Sequence, residues 1–254
     1  MQARRRILIT VALTGLIVTA GCGSMVLDYK QRSDALWNIV SQKCVPNQLQ
    51  HNDPTPCRVV DLHNGYVVLK DRNGPLQYLL LPVEKITGIE SPELLNPYTP
   101  NFVAEAWRAR HFMAQRWGKE IKDSAVALSV NSRIGRTQNQ LHIHISCLRP
   151  DIRQRLNSLD NSLSAKWQSA QLGDNVYQIR AVTQDEIKRK SPFVRIASEL
   201  PEARNEMGKY SFAVAALSNN RRALMVVKRN LLLLNPASAE ELQDHSCQLL
   251  NAVS

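Results

Sequence analysis

Residues 131–147 read NSRIGRTQNQLHIHISC, and they hold the side chains of this chain best suited to chemistry. Aliphatic and polar residues alternate over 141–146, the period of a half-buried β-strand. Leu141, Ile143 and Ile145 would face a core, while His142, His144 and Ser146 would line the opposite face. Two imidazoles and a hydroxyl in a row suit a nucleophilic site, a metal site, or a solvated strand face. A neutral imidazole with its ordinary pKa of about 6.5 is a competent nucleophile at physiological pH. Zinc would need a third ligand, and no second cluster of His or Asp announces one. We therefore expect neither metal nor cofactor.

Such a strand needs a sheet around it. The runs GYVVLKD (65–71) and LQYLLLP (76–82) read as a hairpin around Asn73-Gly74, a strong turn signal. Residues 124–131 read as the strand before the histidines. VYQIRAV, YSFAVAAL and ALMVVKR are three more strand candidates. Short helical periodicity runs over 33–43, and a principal helix is expected over 101–120. Residues 151–163 look helical, and a last helix is expected from SAEEL, where Ser238 and Glu241 have capping-box spacing. The pattern predicts an α+β fold: an antiparallel sheet with packed helices.

The chain has 254 residues, 44% of them hydrophobic, enough for one sizeable globular domain. A net charge of +10 favours anionic partners such as lipid headgroups or phosphorylated substrates. No basic block interleaved with aromatics occurs in the globular part, which argues against nucleic acid. Arg4, Arg5 and Arg6 precede an uncharged run over 7–27, long enough to cross a bilayer. Residues 1–27 are thus expected to be a membrane anchor or signal segment, with the arginines inside and residues 28–254 exported. VTAGC resembles a lipoprotein cleavage site, which makes a lipidated Cys22 the rival reading. The four remaining cysteines suit an oxidising compartment. A disulfide between Cys44 and Cys57 would close the polar loop between them, leaving Cys147 for Cys247. Buried free thiols are the other possibility.

The order of hairpin, long helix, strand, turn and His-x-His strand resembles the histidine-triad (HIT) superfamily of nucleotide hydrolases and transferases. That superfamily's pattern runs from an Asn at a strand end, through a Gly-rich turn, to a Gln four residues before the first His. Asn131, Gly135, Gln138, His142 and His144 occupy those positions, within a core of about 65–147 followed by an extension over 148–254. Gln77 stands where a His is common, and Ser146 replaces the third His. GYVVLKDRNGPLQYLLLP, ESPELL, TPNF, NSRIGRTQNQLHIHISCLRPD and NLLLLNPASAEELQDHSC together resemble the bacterial CDP-diacylglycerol pyrophosphatases, membrane-attached hydrolases that release CMP and phosphatidate. The resemblance implies a HIT-like domain on the periplasmic side of the inner membrane. It implies His144 as nucleophile, forming a cytidylyl intermediate, with His142 in support and Ser146 offering one hydrogen bond. Asn131 and Gln138 would meet ribose or phosphate oxygens. A zinc hydrolase and a non-enzymatic envelope lipoprotein that binds anionic lipid are the alternatives.

Overall fold

A computed structural model describes residues 32–251. The expected anchor over 1–27, with Cys22, lies outside them. Among the described residues no helix is long and apolar enough to cross a membrane.

Ten strands form one sheet: β1 (Val59–Asp61), β2 (Tyr66–Lys70), β3 (Tyr78–Pro82), β4 (Val126–Val130), β5 (Ile143–Leu148), β6 (Gln168–Leu172), β7 (Asn175–Thr183), β8 (Tyr210–Ala216), β9 (Arg221–Lys228) and β10 (Gln243–Asp244). Their order is β1-β2-β3-β5-β4-β8-β9-β7-β6, with β10 paired to the end of β5, and all pairs are antiparallel. The segment after residue 148 therefore extends the sheet of the first half. β2 and β3 form the expected hairpin. Gly74 in its loop has φ +66°, and a Cβ there would sit 2.7 Å from the carbonyl oxygen of His245, so turn and close approach both require glycine.

The helices are α1 (Ala35–Ile39), α2 (Val45–His51), α3 (Phe102–Ala109), α4 (His111–Trp117), α5 (Pro150–Leu159), α6 (Gln184–Arg189), α7 (Pro192–Glu199), α8 (Ala203–Glu206) and α9 (Gln248–Asn251). A π-turn, Val40–Cys44, joins α1 to α2. The single helix expected over 101–120 is two, because it breaks at Arg110, whose guanidinium bonds the Trp107 carbonyl and Asp123. Gly118, in the left-handed conformation, ends α4. SAEEL starts no long helix: Ala239–Leu242 is a 3-10 turn leading into β10, and Ser238 caps nothing.

Register decides which face each side chain meets. Leu79, His144, Ser129 and Ala213 are opposite one another across β3, β5, β4 and β8. Tyr78, Ile145, Leu128 and Val214 face the other way, into the main core under α3, α4, α6 and α7. The histidine face carries two separate apolar clusters. One lies beneath α1 and α2, around Val40, Leu79 and Leu81; the other lies beneath α5 and residues 237–242, around Leu156, Ala213 and Met225. His144 stands between them, where neither cluster supplies apolar cover.

Candidate active site

His142 and His144 have ring centroids 4.8 Å apart and lie nearly edge-on, with 7% and 6% of their surfaces exposed. Their hydrogen bonds differ in kind. The Nδ1 of His142 lies 2.7 Å from the carbonyl oxygen of Gln140, an acceptor only, so the ring donates there and Nε2 keeps its lone pair. The bond to Gln140 is the one side-chain hydrogen bond of His142 among the described residues, and the Nε2 of His144 has none. The Nδ1 of His144 faces the Gln77 amide nitrogen at 3.3 Å. That nitrogen also donates to Asp71 at 2.5 Å, which fixes the amide's orientation. The Nδ1 of His144 must therefore accept, and the neutral ring's proton sits on Nε2, sealed from solvent 3.3 Å from Glu240.

Glu240 organises the rest. Its carboxylate accepts from the Asn131 side chain at 2.9 Å and lies 3.2 Å from His245 Nε2. Asn131 in turn accepts from the Glu240 backbone N–H and the Ser238 hydroxyl. Burial raises the Glu240 pKa, but the His245 hydrogen bond, the His144 charge and the Asn131 amide outweigh it and bring it to about 2. Burial is the largest influence on both strand histidines. It lowers His142, and with His142 as neighbour it takes His144 to about 4. His245 is raised, chiefly by its bond to Glu240. At neutral pH the site thus holds two neutral imidazoles, the Glu240 carboxylate and, beside it, the histidine most inclined to carry a proton, with Asp71 behind Gln77.

The chain over 235–245 lies across β4 as a strap. The Ser132 N–H donates to the Ala237 carbonyl, and its hydroxyl donates to that of Pro236. Gln243 accepts from Ser129 and donates to the carbonyls of Ala127 and His144. Disulfides join Cys44 to Cys57 and Cys147 to Cys247, and the second ties the end of β5 to the strap's end.

The residues singled out by spacing are only partly together. His142, His144 and Asn131 converge on one site. Ser146 shares the face of His144, yet it is fully buried with an unpaired hydroxyl, closed off from any ligand. Gln138 lies elsewhere: its amide bonds the Leu36 N–H and the Arg32 carbonyl and so holds α1. Gln140, two residues on, supports His142 by its carbonyl, while its side chain clamps the chain after β3 at the carbonyls of Pro82 and Glu84. Of the flanking arginines, Arg136 makes a two-pronged pair with Glu90, and Arg149 is held by Asp151 and the Glu241 carbonyl. Glu240 and His245 were missed because they follow the strand by about a hundred residues, where no local pattern reports them. Among the described residues no group of three or more His, Cys, Asp or Glu is placed to hold a metal ion.

Residues 31–251 match the CDP-diacylglycerol pyrophosphatase family, and the chain belongs to it. Hydrolysis of CDP-diacylglycerol is the activity that this family carries. Among solved structures the chain is similar to yeast Ap4A phosphorylase Apa2, at 15% identity and a TM-score of 0.41. The same protein in complex with Ap4A gives 14% and 0.40. Both matches cover 73% of this chain and 64% of the phosphorylase, so the chain spans just under two-thirds of that protein's length. A likeness of this order carries no weight for the chemistry.

Proposed function

We propose that the chain splits CDP-diacylglycerol into CMP and phosphatidate through a covalent cytidylyl-histidine, with His142 as the nucleophile. The observation that carries this reading is the His142 Nδ1–H donated to the Gln140 carbonyl, which leaves a bare lone pair on Nε2. The sequence pattern puts the nucleophile on His144. Its Nδ1 accepts from Gln77, and its Nε2, which carries the neutral ring's proton, is sealed from solvent 3.3 Å from Glu240 without a hydrogen bond to it, which favours the supporting role for it instead. Nε2 of His142 attacks the phosphorus next to cytidine. The P–N bond forms as the P–O bond to phosphatidate breaks, and the electron pair leaves with the phosphatidate oxygen. Water then attacks the same phosphorus and gives up one proton to solvent, the P–N bond breaks with its electron pair returning to Nε2, and CMP departs with His142 neutral again. Phosphatidate is a weakly basic leaving group and needs no strong acid. His245, whose pKa is raised chiefly by its bond to Glu240, is the histidine beside the site most inclined to take up a proton. The HIT-like resemblance supports the covalent route. The two disulfides and the uncharged run over 7–27 support a periplasmic domain attached to the inner membrane.

The test is to react full-length protein briefly with cytidine-labelled CDP-diacylglycerol and to quench without acid. Label should remain on the protein and map to His142. His142→Ala should carry none and lose at least about a thousandfold in turnover, roughly 4 kcal/mol of barrier. Label on His144 would return the nucleophile to that position. Activity abolished by a chelator and restored by zinc would replace the mechanism altogether.

A further inference from the structure

Leu231, Leu232, Leu233 and Leu234 are exposed by 59, 96, 76 and 89%. Other large exposed apolar residues, such as Leu49, Tyr98 and Val176, stand singly, as is ordinary for a protein surface. Four adjacent leucines in water are not ordinary, and their shape is held firmly. Asn230 and Asn235 exchange backbone hydrogen bonds of 2.9 and 2.8 Å across the base. The Asn230 side chain accepts from the N–H groups of Leu232 and Leu233, and Leu234 turns the chain back at φ +54°. The fold thus builds a small rigid knob and, among the described residues, gives it no apolar partner.

We infer that this knob is a second membrane contact, inserting into the acyl region of an anionic bilayer and setting the catalytic site at its surface. The inference rests on the lipid-hydrolase reading above for its purpose, though not for its geometry. Charge supports the choice of partner. Arg229 precedes the tip; Arg133 lies beside its C-terminal stem, where Ser132 bonds Ala237; Lys209 and Lys228 lie beneath it, partly offset by Glu202 and Glu206. An apolar tip ringed by net positive charge suits a bilayer with anionic headgroups. Four side chains are too few for a standard protein interface, which uses about 20–30 residues a side. The tip is also continuous with the site. Glu240 is six positions after Leu234, so the two lie within about 20 Å of each other. A headgroup presented at the bilayer surface is then within reach of His142 while its acyl chains stay largely in lipid.

Depth-dependent quenching tests this without catalysis. Full-length Leu232→Trp is placed in vesicles of phosphatidylcholine and phosphatidylglycerol brominated on the acyl chains, free of CDP-diacylglycerol. The added emission should be quenched at least about threefold more than that of Val176→Trp, a control at an exposed position near the start of β7. Unquenched emission from the Leu232→Trp variant overturns the inference, as does a dimer in detergent that is lost when the four leucines become serine. A second arm compares substrates. The four-serine variant should lose about tenfold or more on vesicle-borne CDP-diacylglycerol and keep its turnover of a short-chain, water-soluble analogue. Equal loss on both, or no loss on either, also overturns it. If the wild type cleaves neither substrate while the Leu232→Trp emission is quenched, the hydrolase reading fails and the membrane tip stands.

Discussion

His142 donates through Nδ1 and His144 accepts through Nδ1, so two rings two residues apart, one just before β5 and one in it, hold opposite tautomers. Nitrogen-15 NMR should find the proton of neutral His142 on Nδ1 and that of His144 on Nε2. The same burial links His144 to stability. Its folded pKa of about 4 lies below the ordinary value of 6.5, so between those pH values the unfolded chain holds a proton that the folded chain refuses. Stability therefore rises with pH across that window, by about 3 kcal/mol in all from this one group. Urea midpoints at pH 4.5 and 7 should differ less in His144→Gln than in the wild type. Glu240→Gln removes the charge that raises His245, and the His245 titration should fall toward its ordinary value, read by proton NMR. At this scale the sequence was informative about residue type and less so about contact. The spacing that singled out Gln138 was met, but that side chain anchors α1, whereas Gln140 bonds His142.

The strands were the most legible elements. β2, β3, β4, β5, β7, β8 and β9 carry aliphatic or alternating runs that only a sheet buries well. β6 (QSAQL), α6, α7 and α8 were missed, their short runs being polar or mixed and their place set by partners distant in sequence. SAEEL shows the limit of local signals. Its spacing matches a helix start, yet the Ser238 hydroxyl is taken by Asn131, and the chain leaves as β10. Gln243 supplies three of the strap's hydrogen bonds to the sheet. Gln243→Ala removes a buried hydrogen bond from the Ser129 hydroxyl and one from each of two carbonyls, which should cost about 1–3 kcal/mol in thermal or urea unfolding. Because that loosens Glu240 as well, the raised pKa of His245 should relax in the same variant, a change that simple destabilisation elsewhere would not produce.

Across the whole molecule the sheet matters chiefly as a surface with a gap. One face is sealed by helices; the other has cover at both ends, and the histidines lie between. That the chain forms a single antiparallel sheet with helices packed on it was readable from its runs of apolar residues. That the last fifty residues return to complete the site was not, since only the tertiary path brings Glu240 to Asn131, 109 residues apart. The net charge of +10 belongs to this scale too. Co-sedimentation of the protein with anionic vesicles should weaken as salt rises from about 0.01 to 1 M, where the screening length falls from roughly 30 to 3 Å, while an apolar contribution persists.

The bond between Cys147 and Cys247 closes a covalent ring a hundred residues around, and β6, β7, β8 and β9 all lie within it. The reactive imidazoles sit just before one closure point, and Glu240 and His245 just before the other. A single backbone cut inside the ring, for example at the exposed β8–β9 turn near Asn219, therefore leaves both halves of the site on one covalent body. Such a nicked protein should keep its activity and run as one species until a reductant is added. Only then should it separate into two pieces, with the histidines on one and the carboxylate that serves them on the other.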